Sequence, residues 1–264
     1  MEHMKKSDDM LVLEEHPRWL WVREADGTEH PVYRDGRLEQ QIEGYFLMAE
    51  RRPELFAPSP LLPLCMDRHA LLRFAEESGR DVGLVFDNGK FYQVVADLIA
   101  APRPFLYARV LYPDRKGNGT VMVPRLLRDG AEPLYGILHV YRHTIRAMSG
   151  GEFPRGFQEP DITPEENARK ELREEFGVEE SQLTRMVLLG ESRADTGLSS
   201  GSVRAYLAEL RGEVPRANIG EEGIAGFEWI GARELTERIR RGEIRDGMTL
   251  CALALLHAWE EAAT

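Results

Sequence analysis

Three glutamates within five residues, Glu171, Glu174 and Glu175, are the side chains in this sequence whose spacing can do chemistry. On a helix, positions three and four apart bring Cβ atoms to about 5–6 Å on one side. Carboxylates gathered so closely repel one another unless a cation sits among them. Hard oxygen donors suit Mg²⁺ or Mn²⁺, which keep waters and take phosphate oxygens as further ligands. The plain alternative is a solvated acidic helix face, since glutamate is a good helix former.

The element that must hold them carries the further information. Thr163 can cap a helix, Pro164 suits its first position, and Glu166 completes a capping box. Gly177 fits the position after the last turn, where a positive φ is cheap. The helix so predicted has about three and a half turns. Ala168, Leu172 and Phe176, four apart, supply its buried stripe, and the glutamates lie off that stripe.

From Gly156 to Val178 the sequence resembles the Nudix box, G-x5-E-x7-R-E-U-x-E-E-x-G-U, where U is a bulky aliphatic residue. Gly156, Glu171, Leu172, Glu174, Glu175, Gly177 and Val178 fall on their positions; Ile162 stands where the pattern has Glu, and Lys170 where it has Arg. The run Tyr141–Arg146, the lead-in Glu152-Phe-Pro-Arg-Gly156 and the stretch Gly242–Ala254 are similar to the ADP-ribose pyrophosphatase branch of the superfamily. The resemblance spans residues 82–264.

What it implies follows residue by residue. Glu171 and Glu175 would be the principal metal ligands, and Glu174 a third ligand or a neighbour through water. The backbone carbonyl of Arg155, at a position where relatives often have Ala, would add another ligand. Arg142 and Arg146 would hold the pyrophosphate, since a guanidinium fork matches phosphate oxygens. Glu152 and Gly156 belong to the expected substrate site, and Gly156 lets backbone come close. Lys170 joins Glu171, Glu174 and Glu175 in the catalytic set, keeping the charge of the family's Arg but losing its planar fork. Gly201 occupies the place where the branch has its base, so the base stays open among Glu171, Glu159 and Asp195. The implied reaction is Mg²⁺-dependent hydrolysis (Mn²⁺ possible) of a nucleoside diphosphate linked to a second moiety. ADP-ribose, giving AMP and ribose 5-phosphate, is the first substrate, with nucleotide sugars and dinucleotides next. A homodimer is implied as well. The rival is a degenerate domain that senses a nucleotide without cutting it, which the residues at 162 and 170 motivate.

The rest of the chain sets bounds. Its 264 residues suit one domain plus an appendage, and 42% apolar with 30% charged residues is the composition of a soluble globular protein. No apolar run reaches membrane-spanning length, and the polar start lacks a signal-peptide core. A net charge of −11 repels nucleic-acid backbones, and the arginines at 238, 240, 241 and 245 are interleaved with acids. Cys65 and Cys251 have no ligand spacing, fit a reducing cytoplasm, and read as small buried residues. His139 and His143, four apart on a strand end, span roughly 13 Å and cannot share an ion. His257 has no evident partner. Trp19, Trp21, Trp229 and Trp259 read as core or interface, and Leu250, Leu253, Ala254 and His257 as a packing stripe.

Strands are expected near 18–22, 83–99 (a hairpin with Asn88-Gly89 at its turn), 105–111, 120–124, 134–141, 185–192, 202–210 and 226–230. Helices are expected at 38–51, 67–78, 232–241 and 248–262 besides the box helix, and the four prolines of 53–63 form a loop. The first ten residues are expected to lack order. The fold class is α+β: a Nudix-type mixed sheet sandwiched by helices over residues 81–264, preceded by a small α/β appendage of opaque role at 1–80.

Overall fold

The computed structural model describes residues 10–112, 119–193, 195–220 and 222–262. The sequence also reads 114–119 as a loop between strands; that loop, Gly119 excepted, and the disorder expected of the first ten residues, Met10 excepted, lie outside these. The chain forms two compact units, one of residues 1–112 with 197–200, the other of 113–196 and 201–264.

The first unit carries two antiparallel three-stranded sheets. One runs β1 (Leu11–Glu15), β2 (Trp19–Arg23), β3 (Glu29–Tyr33); the other runs β4 (Gly83–Asp87), β5 (Gln93–Ile99), β6 (Phe105–Leu111). Between them in sequence lie α1 (Gly36–Arg51) and α2 (Arg68–Ser78). Each helix starts where an aspartate can cap it: Asp35 accepts from the amides of Arg37 and Leu38, and Asp67 from that of Ala70. Leu38, Ile42 and Tyr45 of α1 share one core with Trp19, Leu71, Val82, Val95, Leu98 and Leu111. That shared core draws the 83–99 hairpin and β6 into the first unit. The expected boundary at residue 80 therefore falls inside this unit, and the division lies at Tyr112/Pro113 instead. The segment 197–200 belongs here too: Val110 donates its amide to the Leu198 carbonyl at 2.8 Å, and Ser200 donates to the Val110 carbonyl at 2.9 Å.

The second unit is built on one mixed sheet. Its strands are β7 (Gly119–Arg128), β8 (Ala131–Arg142), β9 (Ala147–Met148), β10 (Arg155–Phe157), β11 (Leu183–Ser192), β12 (Val203–Leu210) and β13 (Ile224–Gly231), in the order β11-β12-β7-β8-β13. β12 runs parallel to β7; β11 pairs antiparallel with β12, and β13 with β8. Alternation along β7 buries both faces. Val121 and Val123 point to a cluster with α4 (Ala232–Arg240) and α5 (Gly247–Ala262), through Leu235, Ala252 and Leu256. Met122 points the other way, to Ala168, Leu172 and Phe176 of α3 (Pro164–Phe176). The sandwiched mixed sheet is as the sequence predicts.

β7 and β8 do not pair along their whole length. β8 pairs with the far end of β7, from Arg125 to Arg128, whereas Gly119–Val121 pairs with β10. Into that fork runs the lead-in: Glu152 exchanges backbone hydrogen bonds with Leu138 of β8, and the amide of Met122 reaches the carbonyl of Pro154. Two further expectations change. Leu250 and Leu253 pack against the core as expected, but the fully buried residues of α5 are Thr249, Ala252 and Leu256, and Ala254 and His257 are exposed. His257 does have a partner, Glu261 one turn on, at 3.3 Å.

Candidate functional site

α3 forms as its sequence dictates. The Thr163 hydroxyl accepts from the Glu166 amide at 3.2 Å, and the Glu166 carboxylate accepts from the Thr163 amide at 2.7 Å. Gly177 ends the helix at φ 62°, its amide returning to the Arg173 carbonyl. Ala168, Leu172 and Phe176 are buried, so the helix rotation is fixed by the sheet beneath it. Asn167 is buried as well and links the helix outward: its amide donates to the Thr120 hydroxyl at 3.2 Å, and its carbonyl oxygen accepts from the Glu159 amide at 3.0 Å.

That rotation turns Glu171 and Glu175 toward β10. Glu175 is only 8% exposed and accepts the backbone N–H of Arg155 at 2.8 Å. Glu171 lies against Gly156 so closely that a Cβ there would stand 2.0 Å from its carboxyl carbon. Only glycine leaves room for that carboxylate. Burial pushes both carboxyls up to about 7; Lys170 draws Glu171 down and the Arg155 amide draws Glu175 down, while neighbouring acids raise both. The charge of Glu222, held at φ 45° in the loop before β13, is among those that raise both.

The third box glutamate goes elsewhere. Glu174 is exposed and pairs with Lys170 at 2.8 Å; Lys170 also reaches Glu159 at 3.0 Å, and these bonds raise its own pKa. In this arrangement Glu171 and Glu175 lie against β10, while Glu174, whose charge also raises Glu171, pairs with Lys170. Among the described residues, no three His, Cys, Asp or Glu side chains gather into a metal-binding group. Two carboxylates nevertheless fit a hard divalent cation. Mg²⁺ is commonly held by one or two carboxylates, with waters and substrate phosphates completing its shell. Two adjoining acids forced toward protonation by burial are a donor set that a cation would relieve.

The expected substrate residues separate into two groups. Arg142 spends its fork on Glu152, with Nε 3.0 and 3.1 Å from the two carboxylate oxygens, and Glu152 is 2% exposed. Arg155 reaches the same Glu152 at 3.1 Å and Asp246 at 3.3 Å. These charges brace the lead-in. Arg146 is exposed at φ 53° and turns to His143, 3.1 Å away, apart from that network. Ile162 offers only its carbonyl, which accepts from Gln158 at 2.9 Å. Of the open bases, Glu171 is in the site and Glu159 is held by Lys170. The loop following Asp195 lends residues 197–200 to the first unit. His139 pairs with Glu228 at 2.7 Å, a structural role. Sequence reasoning did not single out Glu222, whose charge acts on α3 from 47 or more residues away, and it placed Asp246 only within the stretch Gly242–Ala254; the pairing of Asp246 with Arg155 spans 91 residues.

A profile of the NUDIX domain matches residues 118–249, half of the chain. The chain belongs to the Nudix family of hydrolases. Comparison with curated proteins found no match. Among solved structures, one described as "Crystal structure of ADP compounds hydrolase" is similar at 14% identity and a TM-score of 0.47, covering 68% of this chain and 91% of that one.

Proposed function

We propose that the second unit hydrolyses the pyrophosphate linkage of a nucleoside diphosphate derivative, with a divalent cation, Mg²⁺ first, held by Glu171 and Glu175. The observation that carries this reading is the meeting of the two carboxylates with a glycine that leaves room for one of them. A bound divalent ion would neutralise phosphate charge and lower the pKa of a water. The chain's own residues do the rest. The Arg155 amide fixes the direction of Glu175, and Gly156 admits Glu171 beside the backbone. Glu222, whose charge raises both, is the further candidate for taking a proton from the attacking water, beside Glu171. Lys170 holds Glu174 and Glu159 to one side, a positioning role in place of the family's Arg.

ADP-ribose, with AMP and ribose 5-phosphate as products, is the substrate favoured by resemblance to that branch; nucleotide sugars and dinucleotides follow. A homodimer is favoured on the same ground, and a reducing cytoplasm by the two free cysteines. The test is a panel of nucleoside diphosphate derivatives with Mg²⁺ or Mn²⁺, read by release of nucleoside monophosphate. Release that collapses in Glu175→Gln supports the proposal. Release undiminished by that change refutes this site. Ligand-induced thermal stabilisation without any release would instead favour the sensing domain.

A further inference from the structure

We propose that the Arg155 side chain, together with Asp246, is a positioning device for the metal-binding carboxylate Glu175, an inference that rests on the reading of Glu171 and Glu175 as the cation site. The backbone of Arg155 and its side chain point to different tasks. Its N–H donates to Glu175 Oε2 at 2.8 Å, so the orientation of that peptide sets the orientation of the carboxylate. Its guanidinium leaves in another direction, meeting Glu152 at 3.1 Å and Asp246 at 3.3 Å.

Both partners are themselves anchored. Glu152 is clasped by the Arg142 fork and exchanges backbone bonds with Leu138 of β8. Asp246 caps the start of α5, accepting from the amide of Thr249 at 2.9 Å and from its hydroxyl at 2.8 Å. The same Thr249 oxygen accepts the amide of Phe153 at 3.0 Å, two residues before Arg155. The lead-in is thus tied at Glu152, Phe153 and Arg155 to two elements distant in sequence. Glu152, Thr249 and Phe153 are almost wholly buried, which shields these bonds from water. Arg155 touches both anchors and the carboxylate.

Partners of metal ligands that lie one step out commonly cost 10–100-fold in metal affinity when removed. The experiment measures Mn²⁺ binding by electron paramagnetic resonance, and Mn²⁺-dependent turnover, in the full chain and in Arg155→Ala, Arg155→Lys and Asp246→Asn. We expect Arg155→Ala to bind Mn²⁺ about tenfold more weakly, with the KM for nucleotide within twofold of the original. Arg155→Lys should recover part of the loss, because an ammonium keeps the charge without the fork. Asp246→Asn should weaken binding in the same direction, and it decides the matter should Arg155→Ala not fold. Unchanged Mn²⁺ affinity in the folded variants, even with lowered melting temperatures, would overturn the positioning role and leave the site intact. Absence of Mn²⁺ binding in the unaltered chain would overturn the site and this inference together.

Discussion

Removing a charge from the candidate site should make the metal-free protein more stable, and the size of the effect follows from burial. Glu175 has its carboxyl raised from an ordinary 4.5 to about 7. A carboxyl whose pKa is higher in the folded than in the unfolded chain binds more protons when folded. Stability then falls as pH rises through the window between the two values. At about 1.4 kcal/mol per unit, the ionised carboxylate costs the fold about 3 kcal/mol above pH 8. About 2.5 kcal/mol of that develops between pH 5 and pH 8. Glu175→Gln keeps an oxygen for the Arg155 amide and a shape close to the original, but never ionises. In EDTA at pH 8 it should melt roughly 5–10 °C above the unaltered chain, and the two should approach each other toward pH 5. Turnover should meanwhile fall at least a hundredfold. Scanning calorimetry across pH, in EDTA, is the assay. Parallel melting curves at all pH values, or a variant no more stable at pH 8, would refute the claim that Glu175 is a buried carboxylate held in reserve for a cation.

Gly156→Ala places a methyl 2.0 Å from the Glu171 carboxyl carbon. The side chain can swing away, so melting should move little while Mn²⁺ affinity and turnover fall about tenfold or more; retained affinity would contradict the close approach. Thr163→Ala removes the cap of α3 and should cost about 1 kcal/mol, a drop of roughly 2–4 °C in melting temperature. A shift below 1 °C would show that the capping box contributes nothing. Gly136→Ala would set a Cβ 2.6 Å from the Phe176 ring and 3.0 Å from Trp229, overpacking the core behind α3. We expect a loss of about 1–3 kcal/mol in chemical denaturation, and an unaltered midpoint would show that the ring has room to move.

What could be read from sequence was what is local. The cap at Thr163, the stop at Gly177 and the stripe Ala168, Leu172, Phe176 all form as expected, because each depends on residues within a turn or two. Glu174 carries a local contact of its own. One turn back stands Lys170, and an ion pair across one turn competes with convergence on a cation. The remaining surprises are long-range. The charge of Glu222 acts on α3 from a loop far along the chain, and Asp246 meets Arg155 from the start of the last helix. The boundary at Tyr112/Pro113 was hidden because the 83–99 hairpin has the texture of the strands that follow it. Its affiliation is set by whose apolar face it covers, Trp19 and α1.

The excursion of residues 197–200 limits how this protein can be divided. A fragment starting at Pro113 would keep the glutamates and their helix but leave Leu198 and Ser200 without the Val110 backbone they bond. A fragment ending at Tyr112 would present an unzipped stretch of β6. Neither half is a clean excision product. Anyone trimming the gene to the family segment should expect a sticky, poorly behaved remnant, and should express the two pieces together before concluding that the amino-terminal portion is dispensable.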